Sequence, residues 1–88
     1  MRNVIAGAQF RRDVKLAGKR GYDLSKLRNA ILLLTAGSPP PDRYKNHPLK
    51  GIWAHHRDCH IEPDWLLIYK IDADDLYLVR TGTHADLF

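Results

Sequence analysis

Eighty-eight residues with 14 Lys/Arg, 10 Asp/Glu, a net charge of +4 and 44% hydrophobic side chains suffice for one domain, residues 1–88, with one modest core. No apolar run approaches the ~20 residues that cross a bilayer, and the basic N-terminus lacks the apolar stretch of a signal peptide. A single cysteine, Cys59, excludes an internal disulfide, so the expectation is a cytoplasmic protein with no membrane contact.

Asn3–Ala6 is read as a short first strand. From Ala8 to Arg20, Phe10, Val14 and Ala17 recur at helical spacing with Arg11, Arg12, Lys15 and Lys19 outward. Gly21 ends this helix. Asp23 is the expected N-cap of a second helix, whose stripe is Leu24, Leu27, Ile31 and Leu34, and Gly37 followed by Ser38-Pro39-Pro40-Pro41 stops it. Asp42–Pro48 reads as a loop and Leu49–Trp53 as a short strand containing Gly51. Arg57–Ile61 alternates with the period of a strand, Pro63 breaks it, and Trp65–Ile71 is the central strand. Asp72–Asp75 is a hairpin turn, Leu76–Thr81 the returning strand, and Gly82–Phe88 holds one helical turn. The order predicts an α+β domain: two antiparallel N-terminal helices packed on a mainly antiparallel sheet of four to five strands. Charge divides along the same line. Residues 1–57 carry twelve Lys/Arg against three acids, residues 58–88 two against seven, and a basic half of this kind suits a phosphate-bearing partner.

The densest chemistry lies in residues 55–65, HHRDCHIEPDW. His56 and His60 would share a metal on a helix, but four strand residues span about 13 Å, too far for one ion held by both rings at about 2 Å. No metal and no cofactor are expected. Strand alternation instead places Asp58 and His60 on one face and turns Arg57, Cys59 and Ile61 to the other, with Cys59 a small core hydrophobe. Asp64 follows at the turn. His47, before Pro48, and His84, after Arg80-Thr81-Gly82-Thr83, bring imidazoles from other segments. A base that takes a ribose 2′-OH proton, an acid for the leaving 5′-oxygen and cations for the phosphorane can cleave RNA without a metal.

His47-Pro48-Leu49-Lys50-Gly51, Trp53, Arg57-Asp58 with His60, Glu62-Pro63-Asp64-Trp65, the LLIYKI strand and the closing Arg80-Thr81-Gly82-Thr83-His84-Ala85-Asp86-Leu87-Phe88 closely resemble the YafQ-type branch of the RelE-like toxins. The resemblance is densest over residues 47–88 and continues more loosely through Arg12–Ala17 with Lys19-Arg20. It implies a microbial-RNase-like fold and the toxin of a type II toxin–antitoxin system: a ribosome-dependent, metal-independent endoribonuclease that cleaves mRNA. It implies as partners a cognate antitoxin of ribbon-helix-helix type, through which alone operator DNA is met, and the ribosome with its mRNA. The family's acid–base set falls on His47, His60, Asp64 and His84. His84 matches the proton donor, and any of the other three is left as base. Asp58, Trp65 and Phe88 match positions that support the site or stack on bases. Lys50, Arg57 and Arg80 are candidates for phosphate or transition-state contacts. For Trp53 and Trp65 a core role is weighed beside stacking. His55, His56 and Cys59 depart from the family pattern and have no role in it; the two histidines read as turn residues. The competing reading is a catalytically silent module that only holds the antitoxin and assists repression.

Overall fold

A computed structural model describes residues 1–88. Five strands, β1 (Asn3–Ala6), β2 (His47–Pro48), β3 (Arg57–Glu62), β4 (Trp65–Asp72) and β5 (Asp75–Gly82), and three helices, α1 (Ala8–Lys19), α2 (Leu24–Ala36) and α3 (His84–Leu87), make up the regular structure. The strands lie in the order β1-β5-β4-β3-β2. All neighbours are antiparallel except β1, which pairs parallel to β5, so the sheet is mixed.

The central strand explains the rest. Trp65-Leu66-Leu67-Ile68-Tyr69 is buried throughout because β4 is covered on both faces, which makes it a continuous apolar run. Its odd-numbered residues join Phe10, Ala17, Leu27, Ala30, Leu34, Cys59, Ile61, Leu76 and Leu78 in the main core beneath α1 and α2. Leu66 and Ile68 point to the opposite face, where Leu87 of α3 and the half-buried Leu49, Trp53 and Val79 cover them. That second face carries the histidines, because His60 stands opposite Leu66 and Asp58 opposite Ile68 in the register, and directly paired residues share a face.

The helix ends follow from their sequence. Asp23 caps α2 by accepting the Ser25 amide at 3.0 Å, and Gly37 closes it at φ 80°, a left-handed conformation that glycine adopts freely. One expected element is displaced. Leu49–Trp53 is not a strand: Gly51–Trp53 is a 3-10 turn with Gly51 at φ 68°, and the pairing segment is His47–Pro48. Leu49 and Trp53 owe their apolar spacing to packing on the second core from a turn. Leu24, counted in the α2 stripe, is 39% exposed, and Ala30 is buried in the helix instead. No helix is long and apolar enough to cross a membrane.

Candidate active site

Three segments converge on the second face of the sheet. His47 comes from the edge strand β2, paired with Asp58. His60 follows on β3, and His84 opens α3. Their rings form a row: centroids are 6.1 Å apart between His47 and His60, 5.7 Å between His60 and His84, and 6.4 Å between His84 and Phe88. Phe88 is 60% exposed, its ring open to solvent at the end of the row.

Each outer imidazole has one nitrogen committed. His47 Nδ1 is 2.8 Å from the Lys45 carbonyl, which can only accept, so Nδ1 carries the proton and Nε2 of the neutral ring is a free base. Lys45 itself lies at φ 46°, a left-handed conformation uncommon outside glycine and asparagine, and this aims its carbonyl. His84 Nδ1 donates to Asp64 Oδ1 at 2.6 Å, and the His84 backbone N–H donates to the same oxygen at 2.9 Å. These bonds, the backbone one foremost, hold the Asp64 carboxyl below its usual range, so it stays an acceptor and leaves His84 Nε2 facing outward.

Beneath the row lies Asp58, 3% exposed. Burial drives its carboxyl above the ordinary range, while His47, His60 and His84 pull the other way. Its Oδ1 accepts no hydrogen bond although His47 Nδ1 is 3.0 Å away, because that N–H is aimed at the Lys45 carbonyl. One ligand atom from each of His47, Asp58 and His60 falls within 4.8 Å of the others, a set able to hold a transition-metal ion. The pair weighed from sequence, His56 and His60, does not form it; His56 turns its Nδ1 to the Ala54 carbonyl and its ring edge to Trp53. His55, at φ 69°, is a turn residue beside it.

Three expected contacts are placed elsewhere. Trp65 is 2% exposed and no face of its ring is open to a base. It packs on Tyr22 at 4.9 Å, and its indole N–H donates to Thr81 Oγ1, which donates to the Leu66 carbonyl. Arg57 donates to Asn46 and borders a cleft with Pro39, Pro40 and Tyr69, off the histidine face, as its alternation with Asp58 requires. Arg80 is tied to Asp13 of α1 through Nε and Nη2, at 2.7 and 3.2 Å. Lys50 is exposed beside the 3-10 turn. Burial pushes the Cys59 thiol up to about 12, so it is an inert core residue as expected.

Asp13 escaped the sequence reading although a signal was present: it falls three residues after Phe10 and four before Ala17, on the buried stripe of α1. Its carboxylate also accepts the Thr81 amide at 3.1 Å, so one buried charge joins α1 to the strand that leads into His84.

The chain matches, over residues 2–88, the family described as the bacterial toxin of type II toxin–antitoxin system, YafQ. It is 49% identical to the mRNA interferase toxin YafQ of Escherichia coli strain K12, across 99% of this chain and 96% of that protein. Its fold superposes on a crystal structure of YafQ from E. coli strain BL21(DE3) with a TM-score of 0.95 at 47% identity, covering 100% and 99% of the two chains. It superposes equally on the toxin of an E. coli DinJ–YafQ complex, with a TM-score of 0.93, 48% identity and coverage of 100% and 99%. A metal-bound toxin from Helicobacter pylori, 39% identical over the whole of both chains, gives a TM-score of 0.93.

Proposed function

The chain belongs to the YafQ family of toxins of bacterial type II toxin–antitoxin systems, and from that premise we propose that it cleaves mRNA by acid–base chemistry across its row of histidines. It is an mRNA interferase, an endoribonuclease. The observation that carries the mechanism is the row itself: two imidazoles with fixed tautomers, His47 and His84, flank a third at ring separations of 6.1 and 5.7 Å.

His47 Nε2 takes the proton from the ribose 2′-OH, and the 2′-oxygen attacks phosphorus. His84, protonated at Nε2 and steadied by Asp64, returns a proton to the departing 5′-oxygen. The P–O5′ bond breaks, leaving a 2′,3′-cyclic phosphate on one fragment and a 5′-hydroxyl on the other. His60, between them and above the buried Asp58, faces the non-bridging oxygens and stabilises charge as the phosphorane forms. Phe88 offers its exposed ring to an adjacent base. No metal takes part. The reaction belongs on the translating ribosome, and a DinJ-like antitoxin silences it; the E. coli relative is found in a DinJ–YafQ complex. The test is cleavage of mRNA on programmed ribosomes with the product ends mapped. Cyclic phosphate and 5′-hydroxyl ends from the wild type, and none from His84→Gln, are expected. Growth inhibition undiminished in His84→Gln would overturn the assignment, and a wild type that binds antitoxin but never cuts would establish the silent-module reading.

A second reading is favoured by the 4.8 Å cluster of His47, Asp58 and His60 and by the metal-bound H. pylori relative. An ion there would occupy lone pairs the mechanism needs, so it would inhibit. EDTA should leave cleavage unchanged and micromolar zinc or copper should suppress it; activity lost to EDTA and restored by zinc would replace this mechanism with a metal-dependent one.

A further inference from the structure

Beside the row lies a cleft of about 430 Å³ that the mechanism above does not use, lined by Lys26 of α2, Arg43, Tyr44 and Lys45, and by His60, Ile61, Glu62 and Pro63. We propose that this cleft seats the RNA nucleotide and phosphate adjoining the scissile bond, with Lys26, Arg43 and Lys45 holding the backbone. The inference rests on the reading of the chain as an mRNA interferase.

Four observations support it. His60 belongs both to the cleft wall and to the histidine row, so a strand whose phosphate sits at His60 has the cleft next to it at the β3 edge. Charge is the second: three cations face one acid, Glu62, whose carboxylate is already 3.6 Å from Lys26, while Arg43 and Lys45 make no ion pair. Third, the Arg43 guanidinium sits over the ring of its neighbour Tyr44, 5.0 Å from the centroid, and a guanidinium held in place offers a base both a planar group and hydrogen-bond donors. The fourth is the backbone of Lys45. Its carbonyl fixes His47 Nδ1 while its side chain lines the cleft, so a phosphate drawn to this lysine is registered against the base of the reaction. The volume falls in the range of about 300–1,000 Å³ that small ligands fill. An acidic peptide would use the cations alone; single-stranded RNA uses the cations, the planar guanidinium and the continuity with His60.

The test combines Lys26→Gln, Arg43→Gln and Lys45→Asn, the last because asparagine tolerates the left-handed backbone there. All three side chains are exposed, so the melting temperature should match the wild type. Binding of a short single-stranded RNA carrying a 2′-deoxy residue at the cut site is measured against KCl concentration. The salt slope should become shallower by about two, since each lost phosphate contact removes about 0.7, and affinity should fall about tenfold or more at low salt. On programmed ribosomes, a methylphosphonate beside the scissile phosphate should slow the wild type about tenfold and have no added effect on the triple variant. A triple variant with wild-type slope and rate, while the wild type cuts with the expected ends, overturns the cleft assignment alone. Weakened binding of the antitoxin with RNA binding intact overturns it in favour of a peptide site. A wild type that cuts no RNA overturns the interferase mechanism and the cleft together.

Discussion

At the residue scale the site sets one buried carboxyl beneath a row of imidazoles. Asp58 is buried under three imidazoles with its Oδ1 unsatisfied, and its carboxyl is raised chiefly by desolvation. A raised acid favours the protonated fold, so the penalty is absent below the pKa of the unfolded chain and grows as pH rises through the native value. Asp58→Asn should therefore raise the melting temperature at neutral pH, with the gain vanishing at acid pH, while cleavage falls about tenfold as the imidazoles lose their counter-charge. A lower melting temperature in the variant at pH 7 would show instead that ion pairing outweighs desolvation. His84→Gln removes the acid outright: cleavage should fall by about 10²–10⁴ in single-turnover assays with melting unchanged, because the side chain is half exposed. Residues of this kind were legible to the extent that strand alternation governs them. Period two placed Asp58 and His60 together and sent Cys59 to the core. It could not show that Trp65 is closed over by Tyr22, nor that Arg80 is taken by Asp13, since both depend on partners more than forty residues away.

Among the elements, the four-residue helix α3 shows how a short motif is made rigid. Thr83 caps it by accepting the Asp86 amide at 3.1 Å, and Asp86 accepts the Thr83 amide at 2.9 Å in return. Arg20, just past the end of α1, clamps the same carboxylate at 2.6 and 3.2 Å, and with the capping bonds holds it well below the usual carboxylate range. Gly82 is required by this arrangement: a Cβ there would lie 2.9 Å from Asp86 Oδ2 and 3.0 Å from its Cβ. The run Arg80-Thr81-Gly82-Thr83-His84-Ala85-Asp86 is thus largely a device for aiming His84, which the sequence showed only as one helical turn. Gly82→Ala should displace α3 and cut activity about tenfold or more, with only the ~1 kcal/mol loss of a cap in stability; Thr83→Ser should keep both and Thr83→Ala neither. Chemical denaturation beside single-turnover cleavage separates these outcomes. The Asp86 clamp is present above the unfolded carboxylate range and is lost as pH falls through the lowered native value, so α3 should loosen only in acid. The misplaced strand at Leu49–Trp53 has a physical origin too. A two-residue strand carries no periodicity, whereas Leu49 and Trp53, half-buried on either side of a 3-10 turn's start, imitate one.

Across the whole molecule the two faces of the sheet divide the labour. The main core with α1 and α2 lies on one side, the histidine row with α3 on the other, and β4 is the shared floor. The surplus of nine positive charges in residues 1–57 is distributed accordingly. Arg11, Arg12, Lys15 and Lys19 are exposed on α1, and none of them enters an ion pair or lines the row. A basic face remote from the reacting groups contributes to encounter with RNA, and such a contribution is screened by salt. Replacing Arg11, Arg12, Lys15 and Lys19 with glutamine should therefore raise the ribosome concentration needed for half-maximal cleavage several-fold at low ionic strength. The rate at saturation should stay unchanged, and the difference from wild type should disappear near 0.5 M salt, where the Debye length falls to roughly 4 Å. A reduced saturating rate would instead place α1 in the chemistry, through Asp13 and its bonds to Arg80 and Thr81. Asp13→Asn distinguishes the two routes: it leaves the surface charge of α1 in place while weakening the charged link from that helix to the strand that leads into His84. It should lower the saturating rate and leave the salt dependence of binding as it is.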